Sequence, residues 1–427
     1  MADIKPFKSL LYNQEKVDLR RVIMPPYDII KDKDVENYYK KDPHSIIRID
    51  KGVDEEGDGE RNNKYTRAAD FMSEWIMDGV LVRDGEDAFY AYTQEYKLPD
   101  GRKKEMMSFF AAVKLEDFSK KIVLPHERTH SGPKADRLLL MRSTYSNTSP
   151  ILSLYFDRGE QIHDILKNTV KKQKPFINIK NESGLRLRMW RITGKKETEK
   201  LALLFKEKQL FIADGHHRYE TALNFRDEMR EKLGTKKTPY DRILMCLISM
   251  ENSGISILPT HRMFKTFRDF DPESGAFREF FEVKKLKTTA ELKKAMLKPS
   301  KNKVLGIVIK KKAYLLKLKE AEYKKILPKS GHIPEYYMLS VSILHTLIFD
   351  KILGIPEKEI LSSIAYTQDI NEAAGSVVKD GYKAAFLVRP STVDEVKVIS
   401  LNAEVMPQKS TYFLPKLATG FLINKMN

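Results

Sequence analysis

Asp214-Gly215-His216-His217-Arg218 places a carboxylate, a glycine, two imidazoles and a guanidinium in five consecutive positions. Those groups suit an oxyanion. The glycine lets backbone N–H groups come close to a ligand, and Arg218 can grip two phosphate oxygens at once. Gly215, His216, His217 and Arg218 are therefore candidate phosphate binders. Asp214 is expected to steer a proton or hold a divalent cation, Mg2+ by preference, because phosphoryl chemistry is mostly positioning and charge neutralisation. The plainer alternative is a helix start in which Asp214 caps and Arg218 lies on the surface.

A second cluster, His126-Glu127-Arg128-Thr129-His130, literally matches the H-E-x-x-H pattern of zinc proteases. That pattern needs both histidines one turn apart in a sustained helix. Here Pro125 precedes the motif, and Ser131-Gly132-Pro133 would stop a helix within a turn. The stretch is expected to be a loop, with Glu127 as a general base toward an attacking hydroxyl or, more plainly, a salt-bridge partner. Lys409-Ser410-Thr411, Lys134 and Arg137 have the donor types of a phosphate grip, although each is also ordinary solvated surface. No G-x-x-x-x-G-K-[ST] loop or kinase-type glycine-rich loop is present, which disfavours the common ATP-handling folds without excluding phosphate chemistry.

The elements around these motifs follow from apolar spacing. The run from Gln209 to Ala213 reads as a strand that enters Asp214-Gly215 and then a helix from about Arg218 to Lys232. A helix start after a sharp glycine turn is a place where anions bind. Residues 121–124 read as a strand entering the polar loop 125–133, followed by a helix from Lys134 to Ser143. Helices are expected near 32–40, 62–78 and 163–172, and strands at 88–96, 109–115, 150–156 and 185–192. Beyond these come strands at 304–309 and 384–388 and an apolar helix over 340–352. Alternating strands and helices indicate an α/β or α+β protein.

At 427 residues the chain is too long for one core, and 41% hydrophobic with 32% charged residues is ordinary for a folded protein. The single cysteine, Cys246, lies in an apolar run, so it forms no disulfide framework or cysteine-rich zinc site and reads as a small core residue. The amino terminus lacks an apolar core of signal-peptide length, and no stretch approaches ~18 apolar residues. The expectation is a cytoplasmic protein with no membrane span. A net charge of +17 allows nucleic acid, an anionic surface or a polyanionic small molecule as partner. No helix-turn-helix module or interleaved aromatic platform is evident, so nucleic acid is the weaker choice.

The motifs together resemble the domain of unknown function 1015 family. The matching stretches are Ile4-Lys5-Pro6-Phe7, Pro25-Pro26-Tyr27-Asp28, Leu124 to Thr129, Lys134 to Arg137 and Ser149-Pro150-Ile151. They continue with Ile212 to Thr221, Leu258 to Arg262 and Met406 to Lys416. Two of them also resemble the ParB/sulfiredoxin fold of free serine kinases. That resemblance implies a mixed α/β core elaborated with further α/β segments: a segment over 1–110, a catalytic core over 111–267 and a third part over 268–427. It implies Glu127 as base, Asp214 as its assistant, and Gly215 to Arg218 on the phosphate. His126, Arg128 and Thr129 are implied near the acceptor. It further implies transfer from pyrophosphate, ADP or ATP to free L-serine, giving O-phosphoserine. A ParB-like nucleic-acid binder and a phosphohydrolase are the rival readings. About ninety residues separate the two motifs, more than in the compact fold.

Overall fold

The long apolar runs of the chain become strands, and the polar–apolar alternation between them becomes covering helices. The computed structural model describes residues 1–251 and 254–426. The chain forms two compact units, one of residues 1–255 with 415–427 and one of residues 256–414.

The first unit is built on a nine-stranded mixed sheet. Its strands are β1 (Ile4–Lys5), β2 (Phe89–Lys97), β3 (Lys103–Lys114), β4 (Val123–Leu124), β5 (Ile151–Tyr155), β6 (Ile177–Lys180), β7 (Arg186–Ile192), β8 (Leu210–Asp214) and β9 (Arg242–Ser249). The order is β4-β8-β5-β9-β3-β2-β7-β6, with β1 also paired to β3. Two neighbour pairs, β4 with β8 and β5 with β9, are parallel; the others are antiparallel. Alternate residues such as Ile243, Met245 and Leu247 enter one core with Phe109, Ala111 and Val113.

Five helices matter for the site or its support: α1 (Lys64–Met77), α2 (Ser131–Thr144), α3 (Gln161–Lys172), α4 (Lys195–Phe205) and α5 (His216–Leu233). Helix α5 buries Tyr219, Ala222, Phe225 and Met229, the spacing of one helical face. It stops at Gly234, which is left-handed and whose N–H returns to the carbonyls of Arg230 and Glu231. Helix α2 begins at Ser131, three residues before its expected start, because Gly132 and Pro133 occupy the first turn, where a missing N–H costs nothing.

The second unit is a six-stranded antiparallel sheet with a small two-stranded ribbon, Ser256–Leu258 against Tyr412–Leu414. The six strands are β10 (His261–Phe264), β11 (Phe281–Leu286), β12 (Val304–Ile309), β13 (Lys312–Leu318), β14 (Ile364–Thr367) and β15 (Ala384–Leu387), in the order β11-β13-β12-β15-β10-β14. One face packs Phe264, Ile307 and Phe386 against Leu344, Leu347 and Ile348. The other packs Met263, Val308 and Ala385 against Leu292, Ala373 and Val377. The expected apolar helix at 340–352 is a short α-turn followed by a π-helix over Ile343–Ile352.

These units differ from the expected three segments. A boundary after residue 110 would cut β3 in mid-strand, in the interior of the sheet, where its pairing with β9 runs from Phe109 to Lys114. The division expected after residue 267 comes instead after residue 255, and residues 415–427 return to the first unit. There Thr419 bridges Met24, Ile423 bridges Leu10, and Asn424 pairs with Asn147. Among the described residues, no helix is long and apolar enough to cross a membrane.

Candidate functional site

Ninety residues of chain separate the two histidine clusters, yet strand pairing makes them neighbours. β4 and β8 are parallel and adjacent, with Val123 opposite Leu210 and Leu124 opposite Phe211. Parallel neighbours release their following loops on the same edge of the sheet, so residues 125–130 and the start of α5 leave side by side. The edge at the carboxyl ends of such strands is where open α/β sheets place ligand sites. A register shift between Ile212 and Asp214 against β5 marks a bulge just before the motif, a device that re-aims a side chain.

The two loops are tied by histidine rings. The His126 N–H donates to Nε2 of His216 at 3.3 Å, and the His130 N–H donates to Nε2 of His217 at 2.9 Å. Each ring therefore accepts through Nε2 and carries its proton on Nδ1. Nδ1 of His126 lies 2.8 Å from the Ile212 carbonyl and must be the donor in that contact. The His126 and His216 rings meet edge to face at 4.6 Å between centroids. Burial drives His126 down to about 4 and holds His216 well below the ordinary histidine value; His217 is lowered as well, again chiefly by burial. At neutral pH all three are uncharged.

Glu127 is in the loop these rings hold. The stretch from His126 to His130 is irregular rather than helical, so its histidines are not one turn apart on a helix face. Glu127 Oε2 lies 3.8 Å from Nδ1 of His216, and the carboxylate is about a third exposed (31%). It thus faces both a buried N–H and the solvent side.

Asp214 is fully engaged. Its Oδ2 accepts from Arg218 Nη2 at 2.8 Å, and its Oδ1 accepts from Lys416 Nζ at 2.5 Å. Burial alone would raise its pKa, but Lys416 and Arg218 outweigh that and hold the carboxyl well below the usual range. Arg218 also donates to the Pro150 carbonyl. Gly215 has φ +97°, and a Cβ there would sit 3.0 Å from the Arg218 guanidinium, so both backbone and space call for glycine. Among the described residues no side chain caps the start of α5, leaving the first N–H groups of an eighteen-residue helix for a ligand.

This arrangement bears on each expected site residue. Arg218 is buried and braces Asp214, the opposite of a surface residue. An Mg2+ ion held by Asp214 does not fit, because both carboxylate oxygens already face cations. Among the described residues, no three His, Cys, Asp or Glu side chains are grouped to hold a metal. Thr129 Oγ1 and Lys134 Nζ both reach Glu220 Oε2, at 2.7 and 2.8 Å, so they fasten the loop to α5. Arg137 donates to the Asp50 carbonyl at 2.7 Å and to Asp136 at 2.6 Å, beneath the Tyr27 ring. Arg128 is exposed. In the second unit, the Ser410 hydroxyl donates to the Pro407 carbonyl, the exposed Lys409 adopts φ +55°, and Thr411 is half-buried.

Lys416, Glu220 and Asp50 are partners that spacing did not reveal. Lys416 lies 202 residues from Asp214, and only its place at the end of a motif-bearing stretch hinted at a role. Asp50 is buried under the hydroxyls of Thr148 and Ser149, at 2.6 and 2.9 Å. A cavity of about 530 Å³ opens beside it, lined by Tyr27, Asp50, Lys64, Tyr65, Asp136 and Arg137 among others. A smaller cavity shares Asp50 and Arg137 and reaches Arg218.

Comparison with solved structures finds likenesses at low identity. A free serine kinase in complex with AMP is 13% identical, with 73% of this chain and 88% of that one covered and a TM-score of 0.33. A conserved hypothetical protein from Pyrococcus furiosus is 16% identical over 72% and 90%, with a TM-score of 0.32. SbnI from Staphylococcus aureus, truncated at its carboxy terminus, is 9% identical over 74% and 87%, with a TM-score of 0.34. Among curated proteins no relative matches the sequence. Residues 4–336 match the family described as protein of unknown function (DUF1015), a span that takes in both histidine clusters, Asp50 and Glu220. The chain belongs to the DUF1015 family.

Proposed function

We propose that the first unit transfers a phosphoryl group from pyrophosphate to the hydroxyl of free L-serine. The observation that carries this reading is the position of Glu127, a partly exposed carboxylate held against His216 beside the uncapped start of α5. The N–H groups at that helix start would receive the donor phosphates. The Asp214–Arg218–Lys416 cluster, with two cations and one carboxylate, leaves a net positive charge next to them. Glu127 would take the serine hydroxyl proton as the hydroxyl oxygen attacks phosphorus. The P–O bond to the bridging oxygen breaks, and phosphate leaves.

The histidines have a supporting part in this scheme. Neutral and bonded through Nε2, His216 and His217 fix the Glu127 loop rather than shuttle protons. Their Nδ1–H groups remain the donors available to an anion or to Glu127. The cavity beside Asp50 carries both signs of charge, with Asp50 and Asp136 against Lys64 and Arg137, which suits a small zwitterion such as an amino acid.

The test is incubation of the protein with serine and, in turn, pyrophosphate, ADP and ATP, with O-phosphoserine read by mass spectrometry. Phosphoserine with pyrophosphate is the expected product. Phosphate release that is indifferent to serine would make water the acceptor and the chain a phosphohydrolase.

A further inference from the structure

Among the described residues, the second unit holds a buried cation that no carboxylate pairs with. Arg262, on β10, is 0% exposed. Its Nη1 donates to the Thr260 carbonyl, and its Nη2 donates to the carbonyls of Gln408 and Lys409 at 3.0 and 3.2 Å. Among the described residues no carboxylate pairs with it, and its Nε has no acceptor. Carbonyl dipoles offset only part of the several kcal/mol or so that burying an ion costs. Burial lowers the guanidinium to about 10, so it stays charged at neutral pH.

Residues next to it in the fold carry further unsatisfied polar atoms. Thr260 Oγ1, two residues before Arg262, is buried without a partner, and so is Nε2 of His345. Buried polar atoms in native proteins are nearly all paired, so a cluster of exceptions needs a cause. Arg262 and Phe264 are two apart on one strand and share a face. Phe264 packs on Phe349, which packs on His345, so the ring lies over that same face. Burial, then the charge of Arg262, push His345 down to about 3, which leaves the imidazole neutral and within electrostatic reach of the guanidinium. His345 belongs to the π-helix, a conformation that recurs at functional sites. On the opposite face, His261 accepts the Val388 N–H through Nδ1 at 3.3 Å, which leaves a protonated Nε2 that is also unpaired.

We propose that Arg262 Nε, Thr260 Oγ1 and His345 Nε2 bind a phosphate-type oxyanion, using residues the serine-kinase reading leaves idle. The three groups come from a strand, the loop before it and a facing helix. A tetrahedral oxyanion has a separate oxygen for each of them, pointing in different directions, whereas a carboxylate must share two coplanar oxygens among three groups. The anion would also supply the counter-charge that Arg262 lacks, one of its oxygens accepting from the guanidinium Nε–H.

Equilibrium dialysis of the full chain with radiolabelled inorganic phosphate, at low ionic strength, tests this. Arg262→Met should bind one phosphate fewer per chain than the wild type. Thr260→Val should bind that phosphate about tenfold more weakly, the effect of losing one hydrogen bond worth ~1.4 kcal/mol. The difference between wild type and variant is what is read, so a missing phosphate at Gly215 would lower both counts alike and leave the difference intact. Equal counts for wild type and Arg262→Met, together with unchanged affinity in Thr260→Val, would overturn the proposal. Should Arg262→Met fail to fold, Thr260→Val and His345→Phe decide it by the same criterion of weakened or unchanged binding. Acetate displacing the labelled phosphate at equal concentration would overturn the assignment to a phosphate-type ligand.

Discussion

A carboxylate that serves as base must be reachable by its substrate yet held still, and Glu127 meets both conditions, about a third exposed and 3.8 Å from the buried His216 ring. Replacing it with Gln keeps shape and removes basicity. Turnover should fall by roughly 10²- to 10⁴-fold, the usual contribution of a general base, while the melting temperature stays put. Phosphoserine formation and a thermal melt on the same preparation check both halves. Asp214 should behave in the opposite way. Asp214→Ala leaves Arg218 and Lys416 buried or half-buried without their carboxylate, a change that costs about 3–5 kcal/mol in comparable pairs. A denaturant titration should show that loss, whatever happens to activity. Gly215→Ala should destabilise the fold through the backbone. It puts a Cβ at positive φ and 3.0 Å from the Arg218 guanidinium, so about 1–2 kcal/mol of backbone strain is expected before any shift of Arg218 is counted.

Among the elements, the parallel pairing of β4 with β8 does most to make a site, and a sequence read along the chain shows it poorly. Each strand was legible by itself from its apolar run, and so was the loop nature of residues 126–130, from Pro125 and the glycine and proline that follow. Their adjacency was legible only through the resemblance of the motifs, because pairing between distant strands leaves no local spacing. The π-helix at 343–352 was read as an ordinary apolar helix, since hydrophobic residues all round it hide the change of period. The returning segment 415–427 escaped because domains were read as continuous stretches. Its role yields a prediction: a chain ending at Leu414 loses Lys416 and the buried side chains Phe421, Leu422 and Ile423. Each such side chain contributes roughly 1.5–3 kcal/mol on burial. The first unit of the truncated chain should therefore melt well below the intact protein, as circular dichroism would record, and should lose the Asp214–Lys416 pair with it.

For the molecule as a whole, the buried neutral histidines set the response to acid. His126 titrates at about 4 in the folded chain against 6.5 for an ordinary histidine. The unfolded chain therefore binds its proton first, and the stability His126 contributes is complete above pH 6.5 and declines as pH falls toward 4. Depressed carboxyls such as Asp214 and Glu116 contribute stability that is complete above their ordinary values of 3.8 and 4.5 and is lost only below them. The interval from pH 6.5 to 4.5 thus belongs to the histidines, and His126 alone should account for roughly 2–3 kcal/mol across it, at ~1.4 kcal/mol per pKa unit. The chain has two units, but both of its tryptophans, Trp75 and Trp190, are buried in the first, so their fluorescence follows the unit that contains His126. The net charge of +17 also grows with acid and repels itself, yet salt at 0.1 M screens exposed charges beyond about 10 Å and reaches a buried ring far less. Urea midpoints read by tryptophan fluorescence in moderate salt should therefore still fall between pH 6.5 and 4.5. His126→Asn keeps an N–H for the Ile212 carbonyl but cannot take up a proton, so it should flatten that fall. An unchanged slope in this variant would mean that the ring is not the group the fold keeps neutral.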